Sequence, residues 1–161
     1  MMDSLLQSEA HDQKPPTLAK QAAWYCLHAM LALGSWIALM LVGYAVDPAG
    51  VSQWAILLLS MAVPLAVGFA VTKVRADDTA TVVWLLGAIW ALLFSLYVLD
   101  LPTGPGRCFQ CDATEKLTRT FFSLPSPSGL IDDDGPFLGT WPSAALVGYS
   151  IGARLALRRK S

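Results

Sequence analysis

Apolar residues run along this chain in four long, nearly unbroken stretches, about residues 22–46, 54–71, 81–99 and 138–157. A helix needs about 20 mostly apolar residues to cross a bilayer, whereas a soluble helix shows an apolar stripe on one face only. The pattern predicts an all-α membrane protein: four transmembrane helices in a compact bundle, with one connection, residues 101–137, long enough to hold structure of its own. Residues 1–20 are read as a disordered cytoplasmic tail, 21–158 as the transmembrane domain, and 159–161 as a basic end. The first apolar run is too long for a signal-peptide core and is read as a retained span.

Composition agrees. Hydrophobic residues make up 55% of the 161 positions and charged ones 14%, against about 25% charged in an ordinary globular domain. With the four stretches set aside, too little chain is left for a soluble core.

Charge sets the orientation. Lys14, Lys20, Lys73, Arg75, Arg154, Arg158, Arg159 and Lys160 fall on one side of a four-span thread, and only Arg107, Lys116 and Arg119 on the other. Basic residues near span ends stay in the cytoplasm, so both termini are expected there, in a multi-pass protein of a bacterial inner membrane. Aromatics at the span ends, among them Trp24, Tyr44, Trp54, Trp84, Tyr97 and Trp141, suit the two interfaces. Trp36 and Trp90 fall mid-span, where they would pack between helices or against lipid tails.

Lipid tails are as apolar as Leu, so helices in a membrane associate through small residues and polar contacts. Ala144, Gly148, Gly152 and Ala156 share one face of the last span. Gly87, Ala91 and Ser95 line the third, Ala62, Ala66 and Ala70 the second, and Gly34 and Ala38 the first. These faces are expected to pack within the bundle, and the last span could also serve a homo-oligomer. Pro64 interrupts the second span and is expected to kink it. Arg154, near the inner end of the fourth, is read as a snorkelling anchor.

The long connection carries the unusual chemistry. Arg107 precedes Cys108-Phe-Gln-Cys111, and Asp112 with Glu115 three residues on forms a capping-box pattern. A short surface helix over about 113–122 follows, with Leu117 and Phe121 on one face and Phe122 beside them. The cysteine pair has a structural reading, a Cys108–Cys111 disulfide in an oxidising compartment. It also has a redox reading, in which Arg107 and the helix start lower a thiol pKa. The helix count and the cysteine pair resemble the four-span quinone-linked thiol oxidases. Those relay electrons through a second exoplasmic pair, but here the third cysteine, Cys26, falls near the opposite end of span 1. Metal binding would need two more ligands, and with no histidine the loop leaves only carboxylates, an uncommon composition for zinc.

His28 is the one histidine inside a span, a candidate buried polar site whose ordinary role is a hydrogen bond to a neighbouring helix. No acid lies deep in a span, which disfavours ion-coupled transport, and no hydrolase or phosphate-loop motif occurs. No cofactor, metal or nucleic acid is expected. The reading is a non-enzymatic accessory, anchoring or sensing subunit of a membrane complex, of defence or immunity type for example. Lipid, a homo-oligomer and a soluble or membrane protein are its expected partners. A thiol–disulfide oxidoreductase and an oligomeric channel are the alternatives.

Overall fold

The computed structural model describes residues 17–46, 53–103, 111–122 and 138–159. They form α1 (Leu18–Val46), α2 (Gln53–Val74), a 3-10 turn (Asp78–Val82), α3 (Trp84–Asp100), α4 (Ala113–Phe122) and α5 (Thr140–Arg158). The fold is all-α, with several long apolar helices of the kind a multi-span bundle uses. Leu18–Gly43, Trp54–Val74 and Asp78–Asp100 are long and apolar enough to cross a membrane. Each is apolar all round, and such helices stay helical in lipid because every backbone bond is satisfied internally. α2 runs on through Pro64.

The fourth expected stretch stands apart from these three. α5 forms over the expected stretch but is not apolar enough to count among the spanning helices of the described residues. Its place in the fold explains the composition. α5 buries ten residues, including Trp141, Tyr149 and Ser150, whereas α3 buries Gly87, Phe94 and Val98. A helix surrounded by siblings faces protein on most sides, so hydroxyls and glycines can replace the leucines that lipid would demand.

The α2–α5 seam is glycine-made. A Cβ on Gly148 would run into the backbone carbonyl of Met61, one on Gly152 into that of Leu65, and one on Gly68 into that of Tyr149. Only a missing side chain permits this approach. Ala156 is buried on the same helix, and Ala144 is half-buried. Gly87 brings α3 against α5, where a Cβ would lie 3.2 Å from Leu146 Cβ. Ser143 Oγ donates across the same crossing to Gly87 O at 3.2 Å. Ala91, one turn on, is half-buried and accepts from Ser95 Oγ at 2.7 Å.

The other two small-residue faces do not pack inside. Ala62, Ala66 and Ala70 on α2 are exposed, as are Gly34 and Ala38 on α1, and a Cβ on Gly34 would meet nothing within 4 Å. Side-chain size alone cannot aim a helix when lipid and protein are equally apolar.

The core has three parts. Ala29, Ala32, Ala80, Val83, Leu146, Tyr149 and Ala153 cluster at one end. Trp36, Trp141 and Ala145 gather with Met40, Ile56 and Leu57. Phe94 and Val98 meet Leu101, Cys111 and Phe121 at the far end. Trp36 is therefore a packing residue, while Trp90 is exposed and donates its indole N–H to Leu138 O at 2.6 Å.

Candidate functional site

The end of the bundle where α1, α3 and the 3-10 turn begin, and where α2 and α5 finish, carries the basic residues. Lys20, Lys73, Arg75, Arg154, Arg158 and Arg159 are all exposed there. Two cations flank one ring, Lys73 Nζ at 6.0 Å and the Arg159 guanidinium at 5.5 Å from the Phe69 centroid. Arg75 lies 3.8 Å over Trp24, which ties the segment after α2 to the first turns of α1 through a cation–π contact.

Beneath this rim sits His28, 2% exposed. Its Nδ1 is 2.8 Å from the Tyr149 hydroxyl on α5. Its Nε2 is 3.7 Å from Asp77 Oδ2, just before the 3-10 turn. That distance is too long for a direct hydrogen bond, but a carboxylate there favours the tautomer with its proton on Nε2. Nδ1 then accepts from Tyr149 O–H. The three residues join three elements that are far apart in sequence.

Asp77 is held in turn. It caps the 3-10 turn with extended backbone (φ −143°, ψ 119°), and its Oδ1 accepts from Thr79 N at 2.9 Å and from Thr79 Oγ1 at 2.7 Å. Burial works against its ionisation. The two Thr79 hydrogen bonds and the neighbouring His28 outweigh that cost, leaving the Asp77 pKa below the ordinary 3.8. On the other side of α5, Ser150 Oγ accepts from Trp84 N at 2.9 Å, satisfying an amide at the start of α3 that no carbonyl of its own helix can reach.

This arrangement pairs an acid, an imidazole and a phenol in the order of a proton relay. Tyr149 is fully buried and His28 nearly so, so the phenol meets the imidazole and no outside substrate. The geometry therefore does fastening work at this end.

The cysteines lie elsewhere. Cys26 on α1 is free and exposed. Cys108 and Arg107 lie outside the described residues. Cys111 is disulfide-bonded and packs, half-buried, against Phe94, Val98 and Leu101 at the end of α3.

α4 is seated beside it. Asp112 Oδ1 accepts from Glu115 N at 2.7 Å, the capping bond expected from sequence. Phe121 meets Phe94 edge-on at 5.8 Å, whereas Phe122 is 69% exposed rather than tucked beside it. Lys116 Nζ donates to Leu99 O at 3.0 Å and Leu101 O at 2.7 Å, placing a cation on the partial negative charge where α3 ends. Thr140 Oγ1 donates to Phe121 O at 2.7 Å, so α4 is fastened at both ends.

Sequence reasoning singled out His28 but neither partner. Asp77 was within reach: His28 lies two turns into a first span and Asp77 follows the second, so an up–down thread returns both to one end. Nothing in the sequence pointed to Tyr149, because its facing depends on how α5 is rotated. Among the described residues, no group of three or more His, Cys, Asp or Glu side chains could hold a metal ion. No known protein family, curated protein or solved structure matches this chain.

Proposed function

We propose that the chain is a non-catalytic, multi-pass subunit of the bacterial inner membrane. In this reading α1, α2, α3 and α5 all cross the bilayer, with both termini in the cytoplasm and α4 on the exoplasmic surface. It serves as an accessory, anchoring or sensing member of a membrane complex and meets its partner through the basic rim.

One observation carries the reading. The side chains best equipped for acid–base chemistry, His28, Asp77 and Tyr149, are closed inside the bundle and link α1, the 3-10 turn and α5, while the cations around them face outward. Such an end offers a fixed electropositive surface, which suits docking better than turnover. At the other end Cys111 packs against Phe94 and Val98, and in this reading its bridge to Cys108 stiffens the chain entering α4.

Purified in mild detergent, the protein is expected to run by light scattering as a defined homo-oligomer or as a complex with one partner protein. Charge reversal at Lys73 and Arg159 should dissolve the complex. A monodisperse monomer with no partner overturns the reading. Reporters active only outside the cell, fused to either terminus, should stay silent. Replacing Cys108 or Cys111 by Ser should lower stability. Quinone reduction that is lost in those variants, with folding intact, would establish the oxidoreductase instead, and ion flux in liposomes the channel.

A further inference from the structure

α5 presents one stripe beside the start of α3, exposed at Val147, Ile151 and Arg154 and buried at Ser150. Val147, Ser150, Ile151 and Arg154 fall at i, i+3, i+4 and i+7, the spacing of a single helix face. With Trp84 they line an open groove of about 240 Å³. Trp84, Val147 and Ile151 are each a little over one-third exposed. The groove is smaller than the roughly 300–1,000 Å³ of a site that encloses a whole small ligand, and its open side would leave most of a larger molecule outside.

Its polar groups are graded along the helix. Arg154 makes no hydrogen bond, ion pair or ring contact among the described residues. Arg75 and Arg159 each lie over an aromatic ring. Ser150 Oγ accepts from Trp84 N, and its own proton goes to no acceptor among the described residues. At 1.5 Å per residue, Ser150 lies about 6 Å further into the bundle than Arg154, and Val147 about 4.5 Å further still. From the basic end inward the groove offers an unpaired guanidinium, then a hydroxyl donor, then hydrocarbon.

We propose that this groove binds an anionic glycerophospholipid of the leaflet at the basic end. Arg154 holds the phosphate, Ser150 meets the ester region, and an acyl chain lies against Trp84, Val147 and Ile151. The sequence of headgroup, ester and chain matches the order in which the groove supplies its contacts. A planar guanidinium grips a phosphodiester through two parallel hydrogen bonds, a geometry that an ammonium cannot reproduce. The surrounding cations favour a headgroup with net negative charge over a zwitterionic one. Arg154 is thus a ligand-binding residue as well as an interfacial anchor. The site rests on the reading that these helices lie in lipid.

The test uses the full-length protein in mild detergent, equilibrated with equal amounts of phosphatidylglycerol and phosphatidylcholine, with retained lipid counted by native mass spectrometry. The wild type should retain phosphatidylglycerol preferentially. Arg154→Gln should lower that retention about tenfold, the loss expected of a charge-assisted contact, and Arg154→Lys should fall between them. Ile151→Trp, which fills the groove and keeps the cation, should also release the lipid. Arg119→Gln, on α4 at the opposite end of the bundle, should retain it.

Equal retention by Arg154→Gln, an equal loss in Arg119→Gln, or displacement by inorganic phosphate at millimolar concentration would overturn the site. Elution volumes matching the wild type keep misfolding out of the comparison. Recovery of the wild type from membranes by alkaline carbonate without detergent is a separate outcome, and it would overturn the membrane-spanning reading itself.

Discussion

The two ends of the bundle are closed by different chemistry. At the basic end, side chains hold side chains: His28 meets Tyr149, Asp77 sits beside the imidazole, and Arg75 covers Trp24. At the opposite end, side chains hold backbone. Lys116 donates to Leu99 O and Leu101 O, Thr140 to Phe121 O, and Trp90 to Leu138 O. The first closure pairs one ionisable side chain with another, whereas the second sets side-chain donors on backbone carbonyls.

Breaking the spine that both ends share should have the largest effect. Gly152→Val would drive a branched side chain into the Leu65 carbonyl, and overpacking of this kind costs about 3 kcal/mol. Thermal unfolding in detergent should fall sharply, with both ends losing hydrogen-exchange protection together.

Tyr149→Phe touches the basic end alone. It keeps the ring but leaves His28 Nδ1 buried without its donor, at a cost of about 1–3 kcal/mol. Exchange should rise in the 3-10 turn and the first turns of α1 while α4 stays protected. Uniform loosening would show that the two ends are coupled.

Lys116→Met is the mirror experiment. It removes two donors from the end of α3 in a half-exposed setting, so the loss should be about 1 kcal/mol. Increased exchange should be confined to α4 and the last turn of α3.

The smallest effect is the pH dependence. The folded pKa of Asp77 lies below its unfolded value near 3.8. Its contribution is therefore complete above that value and is lost as pH falls through the lower folded pKa. As pH falls from about 5 through the lowered folded pKa, exchange at the basic end should rise, and Asp77→Asn should flatten that rise. The same slope in the Asn variant would remove Asp77 from the explanation.

Local signals in the sequence located much of this. Asp112 and Glu115 placed α4 over residues 113–122, and Ala113–Phe122 is what forms, because a cap and its partner are three residues apart and need nothing from elsewhere. Hydropathy located α1, α2 and α3 for the same reason, since each must face lipid on its own account. Rotation was not legible. The alanines of α2 were expected inside and lie outside, while His28, expected to find a partner on some neighbour, found Tyr149 across 121 positions. Such pairings are settled by which faces meet, and composition is silent about that when every surface is apolar. The cysteine pair was legible as a motif, but its first member falls outside the described residues.

The glycine seam on α5 bears on how the protein is made. A segment with two arginines, two serines and a proline among its 19 residues would gain little by entering oil alone. In the proposed four-span reading it follows α1, α2 and α3, which are apolar enough to insert on their own account, and the carbonyls of Met61 and Leu65 then offer a ready-shaped bed. The three helices apolar enough to span come first in the chain, and the helix that needs a host arrives once the host is there.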